Sequence, residues 1–172
     1  MPFFVLQKSL DSFKKYSEER LANGKEQSSA AVLFYDTFYT RLWDVAPETA
    51  DLFHSGIATQ GPALFGMVST AVKLLKDGEV AALGEALKDL AQRHNGYGVK
   101  LGHYEIVGRC LCYTISKLFE GIDQKEVSTM IEAWVQVYCF MMLQMIPVVA
   151  TFYRKHLVKE KTLAKKAAAG TK

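Results

Sequence analysis

Apolar residues recur every three or four positions in almost every segment of this chain, and no segment alternates polar and apolar residues at a period of two. That spacing places apolar side chains on one face of an α-helix, whereas a half-buried strand needs the shorter period. With 172 residues, 49% of them hydrophobic, the chain is long enough to bury the core of one domain. We therefore predict a single all-α domain.

Breaks in this pattern divide the chain into about seven helices with short links. Gly24, Gly78 and Gly121 end helices, because glycine accepts the left-handed conformation found there. Pro47 and Pro62 suit the first turn of a helix. The predicted helices cover about 4–20, 27–44, a short turn from 46, 60–77, 80–94, 103–119 and 124–156, with a corner over 53–59 and a loop over 95–98.

One uncharged segment, Trp134 to Tyr153, is twenty residues long and could by length alone span a bilayer. It contains Gln136, Gln144 and Pro147, and the rest of the chain has no second segment of this kind. A core helix that is apolar nearly all round explains the composition equally well. We favour the core helix and expect no membrane span.

The positive charge of the chain is concentrated at its C-terminal end. Residues 154–172 carry seven Lys or Arg and one acid, a charge of +6, which leaves −3 on residues 1–153. The body therefore offers no basic surface for nucleic acid. We expect residues 157–172 to be a disordered, solvated basic tail, with contact to an acidic surface as the alternative.

Three cysteines, Cys110, Cys112 and Cys139, lie in apolar stretches and form no CxxC pair. That spacing excludes a thioredoxin motif, a zinc ribbon and covalent haem attachment of the c type. Buried reduced thiols, together with an N-terminus that lacks a signal-peptide pattern, predict a cytoplasmic protein.

Among the four histidines, His94 has the most informative surroundings. It shares one helix face with Leu83, Leu87 and Leu90, at spacings of four, three and four residues. Such an imidazole is either a packed core histidine or an axial ligand that faces an apolar cofactor. Gln60 has two similar interpretations, because its amide could cap a helix or enter a pocket.

Three segments together resemble the globin family, above all the bacterial and protist single-domain globins and the haem domain of flavohaemoglobins. They are QRHNGYGVKLGHYEIVGRCL from Gln92, FYTRLWDVAPETADLF from Phe38 and AWVQVY from Ala133. The likeness covers about residues 26–150. It implies a globin fold over residues 1–156, with a somewhat extended first helix and a short corner in place of the D helix.

The resemblance implies that His94 is the proximal ligand of haem b (iron protoporphyrin IX) and donates its other ring proton to a carbonyl, plausibly that of Leu90. It places Gln60 at the distal position and makes Tyr39 the distal tyrosine, although Tyr35 offers a competing register one turn earlier. The sixth coordination position of the ferrous iron is expected to be open, and His54 is the main threat to that expectation. The implied pocket consists of His94, Phe53, Gln60, Leu64, Leu90, Val99, Tyr104 and Val107.

Two functions follow from the resemblance and stay open at this point. The first is reversible, high-affinity binding of oxygen, with carbon monoxide and nitric oxide as further ligands, for storage, transport or sensing. The second is nitric oxide dioxygenation with an external reductase, because the sequence shows no flavin or nicotinamide domain. Val149 stands where flavohaemoglobins place a glutamate beside the proximal tyrosine, which here corresponds to Tyr104. The oligomeric state is left open.

Overall fold

The computed structural model of the protein describes residues 11, 15, 29–53 and 55–169, with side chains except those of 30 and 164–169. Its elements are α1 (Ala30–Val45), a 3₁₀ helix (Pro47–Leu52), α2 (Ile57–Lys76), α3 (Val80–Gly96), α4 (Leu101–Leu118) and α5 (Gln124–Ala169). Every regular element in this part of the chain is helical, so the all-α prediction is confirmed. Apart from Asp11 and Lys15, the predicted helix over 4–20 lies outside the described residues, as does His54.

The helices pack as crossed layers around one core. α1 contacts both α2 and α4, while α5 packs along α3 and α4. The tightest crossing joins α1 to α2, where a Cβ atom added to Gly61 would lie 2.5 Å from Cγ of Tyr35. A similarly close approach joins α4 to α5, where a Cβ atom added to Gly108 would lie 2.6 Å from the ring of Tyr138. The most buried apolar side chains include Leu42, Val72, Leu87, Ala91, Ile115, Val137 and Val149.

The helix boundaries follow from local chemistry at each end. Ser29 caps α1, because its hydroxyl accepts a hydrogen bond from the Val32 N–H at 3.4 Å. Pro47 begins the 3₁₀ helix as predicted. α2 begins at Ile57, three residues before the predicted start at Gln60, because Gly56 makes the preceding turn with a φ of 72°. The predicted corner is therefore shorter than expected.

The last helix differs most from its prediction. α5 continues to Ala169 rather than ending at His156, so the prediction of a disordered tail is wrong for residues 157–169. Lys, Leu and Ala all favour the helix, and no Gly or Pro lies between His156 and Gly170. The prediction gave too much weight to charge and too little to helix propensity.

The three cysteines occupy different environments. Cys110 is buried, Cys112 is partly buried and Cys139 is exposed, and all three are free thiols. The prediction of buried reduced thiols is therefore correct for Cys110 and wrong for Cys139, which lies on the outward face of α5.

Candidate functional site

A cavity of about 110 Å³, called here the histidine cavity, lies where α3, α4 and α5 meet the end of the 3₁₀ helix. Its lining is almost entirely apolar. Six of the residues implied by the globin resemblance line it together: Phe53, Leu90, His94, Val99, Tyr104 and Val107. The structure thus brings the residues of two distant sequence segments to one place.

His94 is held in one orientation by its own helix. Its Nδ1 lies 2.9 Å from the carbonyl oxygen of Leu90, and since a carbonyl can only accept, we assign the ring proton to Nδ1. Burial lowers the pKa of His94, and the nearby charge of Arg93 adds to this, although the hydrogen bond to Leu90 opposes it. His94 is therefore a neutral imidazole whose Nε2 has a free lone pair, which is the form that binds a metal.

Two tyrosines support the far side of this imidazole. The Tyr104 ring stacks on His94 with centroids 6.1 Å apart and planes inclined by 30°. The Tyr138 hydroxyl donates a hydrogen bond to the Tyr104 backbone carbonyl. Burial raises the pKa of Tyr104 to about 12, and its buried hydroxyl has no hydrogen-bond partner among the described residues. Val149 is fully buried, and its apolar side chain supplies no acceptor.

The opposite wall is built by α2, but not by the residues expected. Met67 lines the histidine cavity, whereas Leu64 and Val68 line a neighbouring apolar cavity of about 510 Å³. The two cavities share Met67, Val107, Tyr138 and Met141 in their linings. Gln60 is half-buried in the first turn of α2 and lines neither cavity, so its distal role stays a prediction.

The structure separates the two candidate distal tyrosines. Tyr39 is only 3% exposed, and its ring meets Phe53 edge-on with centroids 5.1 Å apart. Burial raises the pKa of Tyr39 to about 12, so its hydroxyl stays protonated at neutral pH. Tyr35 instead packs on Gly61 at the crossing of α1 and α2. Tyr39 lines neither cavity, but its contact with Phe53 of the histidine cavity favours it over Tyr35.

Sequence reasoning missed several side chains of the histidine cavity. Four are methionines: Met67, Met141, Met142 and Met145. The spacing of Met141 and Met145 placed them on one helix face, but nothing in the sequence showed which cavity that face would meet. His103 was also missed. Its Nδ1 accepts a hydrogen bond from the Lys100 N–H at 3.2 Å, so in the neutral ring the proton is on Nε2.

The residues present suit a haem by their chemistry. A neutral imidazole nitrogen faces an apolar cavity and is oriented by a backbone carbonyl, as metal-binding histidines usually are. The histidine cavity is smaller than the 300–1,000 Å³ typical of ligand pockets, so a tetrapyrrole needs neighbouring side chains to move. The four methionines are unbranched and flexible enough to do so, and the 510 Å³ cavity adjoins two of them, Met67 and Met141.

Comparison with known proteins decides the family. A sequence model of the globin family matches residues 36–145, well over half of the chain. The chain belongs to the globin family. This globin is 29% identical over 116 residues to a flavohemoprotein of Vibrio cholerae, an alignment that covers 66% of the chain and 28% of that protein. It is 30% identical over 104 residues to a flavohemoprotein of Bordetella pertussis, with 59% of the chain and 25% of that protein covered.

The chain therefore spans about a quarter of the length of the curated relatives it matches. The predicted resemblance to globins and to the haem domain of flavohaemoglobins is confirmed, and so is the all-α globin fold. Globins and flavohaemoproteins bind haem, which is the cofactor that the histidine cavity suits.

Proposed function

We propose that this globin holds haem b through His94 and binds oxygen reversibly with high affinity, for storage, transport or sensing. The proposal rests on the hydrogen bond from Nδ1 of His94 to the Leu90 carbonyl, which leaves Nε2 unprotonated inside an apolar cavity. When bound, haem b would supply the iron that takes up a diatomic gas, and oxygen, carbon monoxide and nitric oxide are the expected ligands.

On the proximal side, the protein fixes the geometry of the ligating nitrogen. The Leu90 carbonyl holds the tautomer of His94 and increases the basicity of its Nε2. Phe53, Val99 and Val107 give the cavity apolar walls that exclude water. Exclusion of water strengthens the electrostatic interactions of every polar group inside the cavity.

On the distal side, the proposed donor is the hydroxyl of Tyr39. Because burial raises the pKa of Tyr39 to about 12, this hydroxyl carries a proton that it can donate to a bound gas with partial negative charge. In a dry pocket such a hydrogen bond contributes about 1–2 kcal/mol. At 1.4 kcal/mol per tenfold, it slows oxygen release by roughly five- to thirtyfold. The Gln60 amide is the second proposed donor.

Two substitutions test this proposal on the haem-loaded protein. His94→Ala should abolish the Soret band that follows haem addition, while His103→Ala, which also removes an imidazole from the histidine cavity, should retain it. Tyr39→Phe should speed oxygen release by roughly five- to thirtyfold in stopped-flow measurements. Tyr35→Phe is the matched control and should leave the release rate unchanged. Full haem binding by His94→Ala would refute the ligand assignment.

Nitric oxide dioxygenation with an external reductase is the second candidate. The likeness to flavohaemoproteins and the stacking of Tyr104 on His94 favour it. Against it, the Tyr104 hydroxyl has no acceptor in the described structure, and the resemblance places Val149 where flavohaemoglobins have a glutamate. Without a carboxylate, His94 gains less anionic character and donates less electron density to the iron. Reversible binding is therefore the function we favour.

The two functions differ in turnover. Reduced protein exposed to oxygen and then nitric oxide, with a reductase supplied, should stop after one nitrate per haem if this globin is a binder. Many nitrates per haem would favour the enzyme. The three free cysteines fit a reducing compartment, and we propose the cytoplasm as its location.

A further inference from the structure

The outward face of α5 carries a row of exposed residues without charge. This outer stripe follows the four- and three-residue spacing of one helix face. Its members are Val135, Cys139, Leu143, Pro147 and Ala150, all exposed. Val135 and Cys139 also line the 510 Å³ cavity. Leu143 is 71% and Val135 is 42% exposed, and no charged residue lies between Glu132 and Arg154.

Such an apolar helix is usually buried on all sides. α5 is long and apolar enough to cross a bilayer by length and composition, yet only 22% of its most apolar window is buried. The buried part includes Val137, Met141, Met145 and Val149, which face the globin core. If α5 crossed a bilayer, these side chains would leave the core. The outer stripe is therefore the part of α5 that a partner can contact.

The basic end of α5 continues directly from this stripe. Arg154, Lys155, Lys159 and Lys161 are exposed, and none of them belongs to the ion pairs recorded in the described part of the chain. Three large apolar residues are exposed among and after them: Leu157 at 56%, Val158 at 60% and Leu163 at 57%. Helices that lie on anionic membranes carry Lys or Arg together with large apolar side chains.

We propose that the outer stripe and the basic end of α5 bind the surface of an anionic phospholipid bilayer, with α5 lying along the interface. From Val135 to Leu163 the helix is about 40 Å long at 1.5 Å per residue. Its apolar side chains enter the boundary between headgroups and acyl chains, and its cations lie among the anionic headgroups. The cytoplasmic leaflet carries the required negative potential.

A second copy of the chain explains less of what is observed. Pairing of two outer stripes would cover Leu143 and its neighbours, but the charge of −3 on residues 1–153 of the second copy would offset only half of the +6 on residues 154–172. Pairing would also leave the apolar side chains of the basic end exposed. An anionic bilayer accounts for both features with one partner.

Co-sedimentation of the full, haem-loaded chain with lipid vesicles tests the proposal. The protein should bind vesicles that contain phosphatidylserine at least tenfold more tightly than vesicles of phosphatidylcholine alone. Lys155→Gln, Lys159→Gln and Lys161→Gln combined should weaken that binding roughly a hundredfold, at about 1 kcal/mol per cation. The matched control replaces Lys76, Lys88 and Lys125 by Gln and should bind like the unaltered protein. Leu143→Gln should weaken binding severalfold.

Several results would overturn the proposal. One is no binding to either vesicle, and another is equal binding to both. A third is equal loss in the two triple variants, since general charge would then explain the binding. A concentration-dependent dimer that Leu143→Gln dissociates, measured by analytical ultracentrifugation, would assign the outer stripe to a second copy. None of these outcomes depends on the gas-binding function, because the Soret band measures haem content independently of vesicle binding.

Discussion

Replacing Gly61 by alanine tests the crossing of α1 and α2, which sets the position of the proposed distal residues. The added Cβ atom would lie 2.5, 2.6 and 2.7 Å from Cγ, Cδ2 and Cδ1 of Tyr35. Carbon atoms in contact prefer 3.5–4.0 Å, so the overlap is about 1 Å. Because Cγ is the first ring atom of Tyr35, a small side-chain rotation does not relieve the overlap, and the two helices must separate.

The expected free-energy change combines two opposing terms. Overpacking of this kind costs about 1–3 kcal/mol, while alanine in a helix interior is favoured over glycine by roughly 0.5–1 kcal/mol. We expect Gly61→Ala to lower the free energy of unfolding by about 1–2 kcal/mol. Gly66 lies on the same helix with nothing within 4 Å of its added Cβ atom, so Gly66→Ala should raise that free energy by about 0.5–1 kcal/mol.

Urea unfolding of the haem-free chain, followed by circular dichroism at 222 nm, measures both changes. In a Tyr35→Ala background the ring is absent, so Gly61→Ala should become stabilising, as Gly66→Ala is. If Gly61→Ala proves neutral or stabilising with Tyr35 present, the close crossing of α1 and α2 is refuted. A loss that persists after Tyr35→Ala would show that another contact causes it.

Two further predictions concern the surroundings of His94. Tyr104→Phe removes a hydroxyl without a partner among the described residues and should change the free energy of unfolding by less than about 0.5 kcal/mol. Tyr138→Phe loses a hydrogen bond and should cost about 1 kcal/mol. Equal losses in urea titrations would contradict this. In the haem-free chain, the NMR titration midpoint of His94 should lie below the ordinary 6.5, because burial lowers its pKa. The histidine of the unfolded chain then binds a proton at a higher pH than His94 does in the folded chain. The contribution of His94 to stability should therefore be lost as the pH falls from about 6.5 towards the folded pKa. A midpoint at or above about 6.5 would contradict this prediction.

Periodicity predicted the helices well, because the spacing of apolar residues within a segment is enough to define the apolar face of its helix. The face of Leu83, Leu87, Leu90 and His94 is an example, since α3 covers all four residues. Helix ends were predicted less well. Gly56 was included in a longer corner, and the helix propensity beyond His156 was underestimated.

The candidate site was predicted only as far as the globin resemblance extends. His94, Phe53, Leu90, Val99, Tyr104 and Val107 meet in one cavity as that resemblance implies. Met67 could not be found in this way, because its place depends on how α2 is rotated against α4 and α5. That rotation is set by contacts between distant segments, such as Tyr35 on Gly61, which no local pattern reveals.

One continuous helix, α5, carries both the methionines of the histidine cavity and the projecting basic end. A load on that end therefore acts on the same helix that carries Met141 and Met145. Pro147 lies between the two regions and cannot donate a backbone hydrogen bond to the Leu143 carbonyl. Bending under such a load concentrates at this point, where it tilts the outer half of α5 while the cavity half keeps its place.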